Sequence, residues 1–275
     1  MSTLLDRVVD DAAIFPPGNA PLDVAIRDHL SHRAASYAAM VGPLLVRETD
    51  VEQVVALAER PLEIGVIATT GPSALQRAVV ALHDGPHLRV TGFEIPLPAG
   101  ELSAVGTLLA ELKPPPGVTV SVELPRPGAT VPDAWLAAAA DVAEAGCQVK
   151  LRTGGVHPDA HPGERELAMV LEALVPHRFK LTAGLHRAVR HTQPGTGFEQ
   201  HGFLNVMVAV HRLLGGASVD AAAEVLADRE GARLAAEARS WSDADAAAVR
   251  QSFRGFGSCS IIEPHDDLVG LELIA

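Results

Sequence analysis

Short runs of consecutive apolar residues recur along the chain, and most are followed by a stretch with helical spacing. They predict strands near 11–15, 41–47, 62–69, 88–96, 117–124, 147–152, 178–183 and 257–263. The runs are continuous rather than alternating, as in strands buried on both faces of a parallel sheet. Between them, helical patterns cover 21–39 (Pro21 in a first-turn position), 72–83, 100–112, 132–145 and 163–175. Thr49 and Glu52 have capping-box spacing ahead of Val54, Val55 and Leu57. The stretch 203–253 is nearly all helical and far longer than one crossover needs. Eight strands separated by helices point to a single (β/α)8 barrel spanning 1–275. In that reading 203–253 is a helical insertion or lid between the seventh and eighth strands. An open doubly wound sheet is the alternative, but no GxGxxG follows any strand.

Composition narrows the partners. The chain has 275 residues, 48% hydrophobic and 20% charged, which excludes a disordered polymer. Thirty-four acids against 22 bases give a formal charge of -12, a poor match for nucleic acid. Met1 to Ala13 carries Asp6, Asp10 and Asp11 where a signal peptide is basic and then apolar, and no run of 18 apolar residues exists. A cytoplasmic protein that does not enter membranes is expected. Cys147 and Cys259 form no CxxC pair and no disulfide framework. The oligomeric state stays open, a homo-oligomer included.

Lysine usage is the sharpest chemical signal. Of 22 basic residues 19 are Arg, and the three lysines are Lys113, Lys150 and Lys180. Arg stays protonated, whereas a buried Lys can lose its proton and act as a nucleophile. Lys113 precedes three prolines and reads as a surface residue at a helix end. Lys150 and Lys180 sit in the sixth and seventh predicted strands, in VKLRTGG (149–155) and FKLTAGL (179–185). Equivalent positions on adjacent parallel strands point the same way, so the two are expected to be neighbours. Their mutual repulsion and burial should lower one pKa. Chemistry in such barrels lies at the C-terminal strand ends, which adds Glu94, Glu123, Arg152, His186, Glu263 and His265. The competing arrangement pairs each lysine with a glutamate across the barrel.

Across 147–187, the two lysines and the glycine turns after them resemble class I aldolases of the deoxyribose-phosphate aldolase type. The resemblance implies that Lys150 forms a Schiff base and Lys180 lowers its pKa. It further implies that Glu94 assists proton transfer, and that the Gly154-Gly155 and Ala183-Gly184 turns meet the substrate's anionic end.

Glu123 and His186 are further candidates for moving protons, with Arg152 and Arg187 for holding a carboxylate or phosphate. A second constellation is histidine. His186 and His191 with Glu263 would suit a divalent metal, although their spacing matches no strong motif. Asn19 lies in the first loop, while Gln200, His201 and Asn205 open the helical block. His211 falls on an apolar pattern at a core edge. Cys259, between Ser258 and Ser260, reads as inert. The leading expectation is a lyase-type enzyme using a lysine imine on a small anionic carbonyl compound, with no cofactor. The alternatives are a metal-dependent lyase or hydrolase and a non-catalytic barrel that binds a small acid.

Overall fold

The computed structural model describes residues 2–69, 71, 85, 87–97, 101–112, 114 and 116–274. The helix expected over 72–83 and the surface residue Lys113 lie outside the described residues. The described residues form ten strands: β1 Val9–Asp11, β2 Val41–Arg47, β3 Leu62–Ile67, β4 Leu88–Pro96, β5 Thr119–Glu123, β6 Gln148–Arg152, β7 Phe179–Thr182, β8 His191–Thr192, β9 Glu199–Gln200 and β10 Phe253–Ser258. Eight of them close into a barrel in the order β1-β10-β7-β6-β5-β4-β3-β2, and every neighbouring pair is parallel. The chain therefore has the expected α/β architecture, a (β/α)8-type barrel.

Alternation within the strands separates two environments. Val149 and Leu151 of β6 are buried in the layer between strands and helices, whereas Gln148 and Lys150 face the lumen with Ser121 and Glu123 of β5. The helices present matching stripes. In Glu164–Leu174, the buried residues Leu167, Ala168, Val170, Leu171 and Leu174 recur at helical spacing.

Four helices, Phe203–Leu214, Val219–Ala227, Gly231–Ser240 and Asp243–Ser252, connect β9 to β10. The first is apolar almost all round, with Phe203 to Val210 and Leu213 buried. It is sandwiched between the barrel, where Phe203 stacks on Phe256 of β10 at 4.8 Å, and the other three helices. Ser242 and Asp245 close a reciprocal capping box on the fourth. Among the described residues no helix is long and apolar enough to cross a membrane.

Two strand predictions shift. The first strand is Val9–Asp11 rather than 11–15, because Pro16 and Pro17 hold the later residues in a turn and the pairing falls to Val9. The last strand is Phe253–Ser258 rather than 257–263. Ile262 and Glu263 instead open the helix Ile262–Gly270. Glu263 is thus a first-turn helix residue, not a strand end. The capping box expected at Thr49 and Glu52 does not form: the helix Val51–Leu57 starts from Asp50 without a side-chain cap, after a 3-10 turn at Glu48–Asp50. The hairpin of β8 and β9 had no sequence signal strong enough to predict it.

Candidate active site

The barrel lumen holds a chain of alternating charges. Lys150 and Lys180 stand opposite each other in the β6–β7 register, and Glu123 stands opposite Lys150 in the β5–β6 register. Glu94 reaches over from β4 and meets both lysines. Its Oε1 lies 2.5 Å from Lys180 Nζ and its Oε2 lies 2.6 Å from Lys150 Nζ. Lys150 Nζ is also 2.8 Å from Glu123 Oε2, and Glu123 Oε1 accepts from Arg152 Nε at 3.0 Å. At the other end Lys180 Nζ donates to Asp10 Oδ2 from β1. The sequence therefore runs Asp10, Lys180, Glu94, Lys150, Glu123, Arg152. Three carboxylates face two ammonium groups and one guanidinium, so the row is neutral with every group charged. That balance is what lets so many charges share a dry interior.

Both lysines are held between two carboxylates. Lys180 donates hydrogen bonds to Asp10 and Glu94. Lys150 has Glu94 Oε2 at 2.6 Å and Glu123 Oε2 at 2.8 Å. Burial would lower the Lys180 pKa, but Asp10 and Glu94 outweigh it and hold the ammonium well above its ordinary value. The lowering expected from lysine–lysine repulsion is thus reversed at Lys180, because the intervening carboxylates dominate. Burial would raise Glu94, but Lys150 and Lys180 overcome it and hold the carboxyl at about 2. Glu123 is lowered in the same way, against its burial, by Lys150 and Arg152. Asp10 is the exception, since burial pushes its carboxyl up despite Lys180.

Asp10 is a site residue that the strand-end reading of the sequence does not single out. The signal that exposed the lysines was present there too: a charged residue inside an apolar run, Val8-Val9-Asp10-Asp11-Ala12-Ala13-Ile14. Gly42 on β2 makes room for it, since a Cβ there would lie 2.0 Å from Asp10 Oδ1. Asp11 points the opposite way and binds His29 Nδ1 at 2.9 Å behind the barrel.

Above the charge row, at the C-terminal end, the turns after β6 and β7 interlock. Thr153 Oγ1 donates to Ala183 O at 2.7 Å. A Cβ on Gly154 would lie 2.8 Å from Gly184 Cα, and one on Gly184, whose φ is +73°, would lie 2.8 Å from Thr153 O. Both glycines are thus required by backbone contact between the turns. Ala183 itself has φ +62°, a conformation that costs an L-residue energy and marks a constrained strand end. Gly155 continues the turn, where His161 Nε2 meets its carbonyl at 3.1 Å.

His186 lies at the same face. Its Nδ1 is 3.4 Å from Ser258 Oγ, 3.6 Å from Cys259 Sγ and 3.4 Å from Glu263 Oε2. Burial lowers its pKa, partly offset by Glu263, so the ring is neutral near pH 7. Burial also pushes the Cys259 thiol up to about 11, which keeps it un-ionised. Arg187 is occupied by Asp267 through Nε at 2.9 Å and Nη2 at 2.5 Å. His191 turns to Val189 O and Gln193 Oε1. Among the described residues no three His, Cys, Asp or Glu side chains are grouped to hold a metal ion. Asn205 and His201 brace backbone carbonyls, Val225 O and Asp228 O for the first and Pro162 O for the second.

Arg47, at the end of β2, is a further cation that the list of candidates lacked. Its guanidinium lies over the Phe15 ring at 4.7 Å and donates to Ile14 O. In comparisons with known proteins, the chain matches no family model, no curated protein and no solved structure.

Proposed function

We propose that this protein is a lyase-type enzyme that acts on a small anionic carbonyl compound through an imine on Lys150. The observation that carries the reading is a pair of buried lysines bridged by Glu94. Lys180, hydrogen-bonded to Asp10 and Glu94, is held as a cation, and its neighbour Lys150 has two carboxylates at proton-transfer range.

In the proposed step the Lys150 ammonium passes a proton to Glu123. The free amine adds to the carbonyl carbon, and one nitrogen-bound proton moves to the oxygen, giving a carbinolamine. Water then leaves with the proton returned by Glu123, and a protonated imine remains. This iminium withdraws the electrons of the neighbouring carbon–carbon bond. Bond cleavage leaves an enamine on Lys150 while a β-hydroxyl proton passes to a base, for which neutral His186 or Glu94 is available. The permanent charge of Lys180 keeps Glu94 ionised and stabilises anionic character nearby. Arg152 is the nearest cation for a substrate carboxylate or phosphate, because its side chain is half exposed while Glu123 holds one edge of the fork.

The test is turnover. A panel of β-hydroxy aldehydes and β-hydroxy keto acids, with and without a phosphate group, is incubated with the full chain, and aldehyde release is followed. The reading requires release from at least one compound, abolished in Lys150→Met and reduced at least 100-fold in Glu94→Gln. Release that survives Lys150→Met would sink it.

A further inference from the structure

The opposite end of the barrel carries charges that the lysine chemistry does not use. Arg178 immediately precedes β7, Arg254 is the second residue of β10, and Arg250 lies in the last turn of the helix leading into β10. Phe179 and Phe253 are register partners, which places Arg178 one residue before and Arg254 one residue after that pair on neighbouring strands. Among the described residues none of the three has a carboxylate within ion-pair distance, although the chain carries a formal charge of -12.

Each arginine is positioned by main-chain carbonyls instead. Arg178 Nη2 donates to Gly146 O at 2.6 Å, and Arg254 Nη1 donates to Arg250 O at 2.7 Å. Arg250 uses both terminal nitrogens, on Phe253 O and Asp6 O at 2.9 Å each. Two of these bonds, to Arg250 O and Phe253 O, cover carbonyls at the C-terminal end of helix Asp243–Ser252, whose negative dipole end would otherwise repel an anion. Arg178 and Arg254 are exposed and retain the rest of their donor forks, already held in place. Burial, then Arg254, lowers Arg250 to about 10, and burial, then Arg178, lowers Arg254. The attraction of Asp6 and Asp10 for Arg250 only partly offsets this.

Guanidiniums gathered against their own repulsion, pre-oriented and lacking carboxylates are the arrangement that a tetrahedral dianion satisfies. We propose that Arg178 and Arg254, backed by Arg250, form a binding site for a small oxyanion of the phosphate class on the N-terminal face of the barrel. The site is separate from the lysine row and needs no movement of the strands.

Inorganic phosphate is titrated into the full chain at constant ionic strength, with chloride as the balancing salt. Binding is read by calorimetry and by the arginine Nε–Hε resonances. The expected result is saturable binding that shifts the Arg178 and Arg254 resonances. The affinity falls about tenfold or more in Arg178→Gln/Arg254→Gln, corresponding to the loss of about 1.4 kcal/mol. Arg212→Gln, on the helix Phe203–Leu214 and paired with Glu237, keeps that affinity. The resonance readout needs no variant, so a destabilised double variant does not decide the matter. No saturable shift of the Arg178 and Arg254 resonances, or phosphate binding unchanged in the double variant, would overturn the proposal.

Discussion

Glu94 is the residue on which the lumen depends. It touches both lysines while almost wholly excluded from water. Replacing it with Gln removes the shared anion and leaves two ammonium groups with one carboxylate each, a change of the kind that costs about 3–5 kcal/mol. The pH dependence follows from the same contact. Glu94 is depressed from 4.5 to about 2 in the fold, so the unfolded chain binds its proton first as the solution is acidified. Its contribution is present above 4.5 and is lost as pH falls through about 2. Asp10 works in the other direction: its contribution is full below 3.8 and is lost as pH rises through its raised folded value. The expected outcome is a urea midpoint that falls steeply between pH 4.5 and 2 in the wild type. In Glu94→Gln it starts lower at pH 7 and falls less over the same range. Equal slopes in the two proteins would show that Glu94 is not the titrating group.

At the scale of elements, the turns after β6 and β7 form one unit, and glycine substitutions separate contact from conformation. Gly184→Ala meets both a positive φ and Thr153 O, and is expected to cost about 3 kcal/mol. Gly128→Ala has φ +87° with no atom nearby, so only the conformational cost of about 1 kcal/mol applies. Thermal denaturation of the two variants checks the order, and equal losses would mean that the turns do not interlock. The same elements show what the sequence could express. Apolar runs located β2, β4, β6 and β7 within a residue or so at each end, because those runs are continuous enough to read through the breakers Gly42, Pro43 and Gly92. The ends of the barrel were less legible. β1 contains only three residues, two of them aspartates, so its burial pattern comes from lumen partners far away in sequence. In β10, Phe253-Arg254-Gly255-Phe256-Gly257 is too glycine-rich to read as a strand, and the apolar pair Ile261-Ile262 drew the prediction downstream.

For the whole molecule, closure of the barrel decides which residues meet. The lysines and glutamates were visible as charges in apolar strands, and a parallel register made Lys150 and Lys180 neighbours. Nothing local showed that Glu94 would touch both, or that Asp10 would complete the row, because those contacts cross the lumen between strands up to 170 residues apart. Arg178, Arg250 and Arg254 were equally silent in sequence, since only closure gathers them at one face. The most direct test of the central claim is borohydride trapping of the full chain with small aldehydes and keto acids, followed by intact-mass and peptide mass spectrometry. The account predicts a reduced adduct on Lys150, absent in Lys150→Met, with Lys180 unmodified because Asp10 and Glu94 hold its ammonium well above its ordinary value. An adduct on Lys180, or no lysine adduct with any compound that the protein turns over, would contradict it.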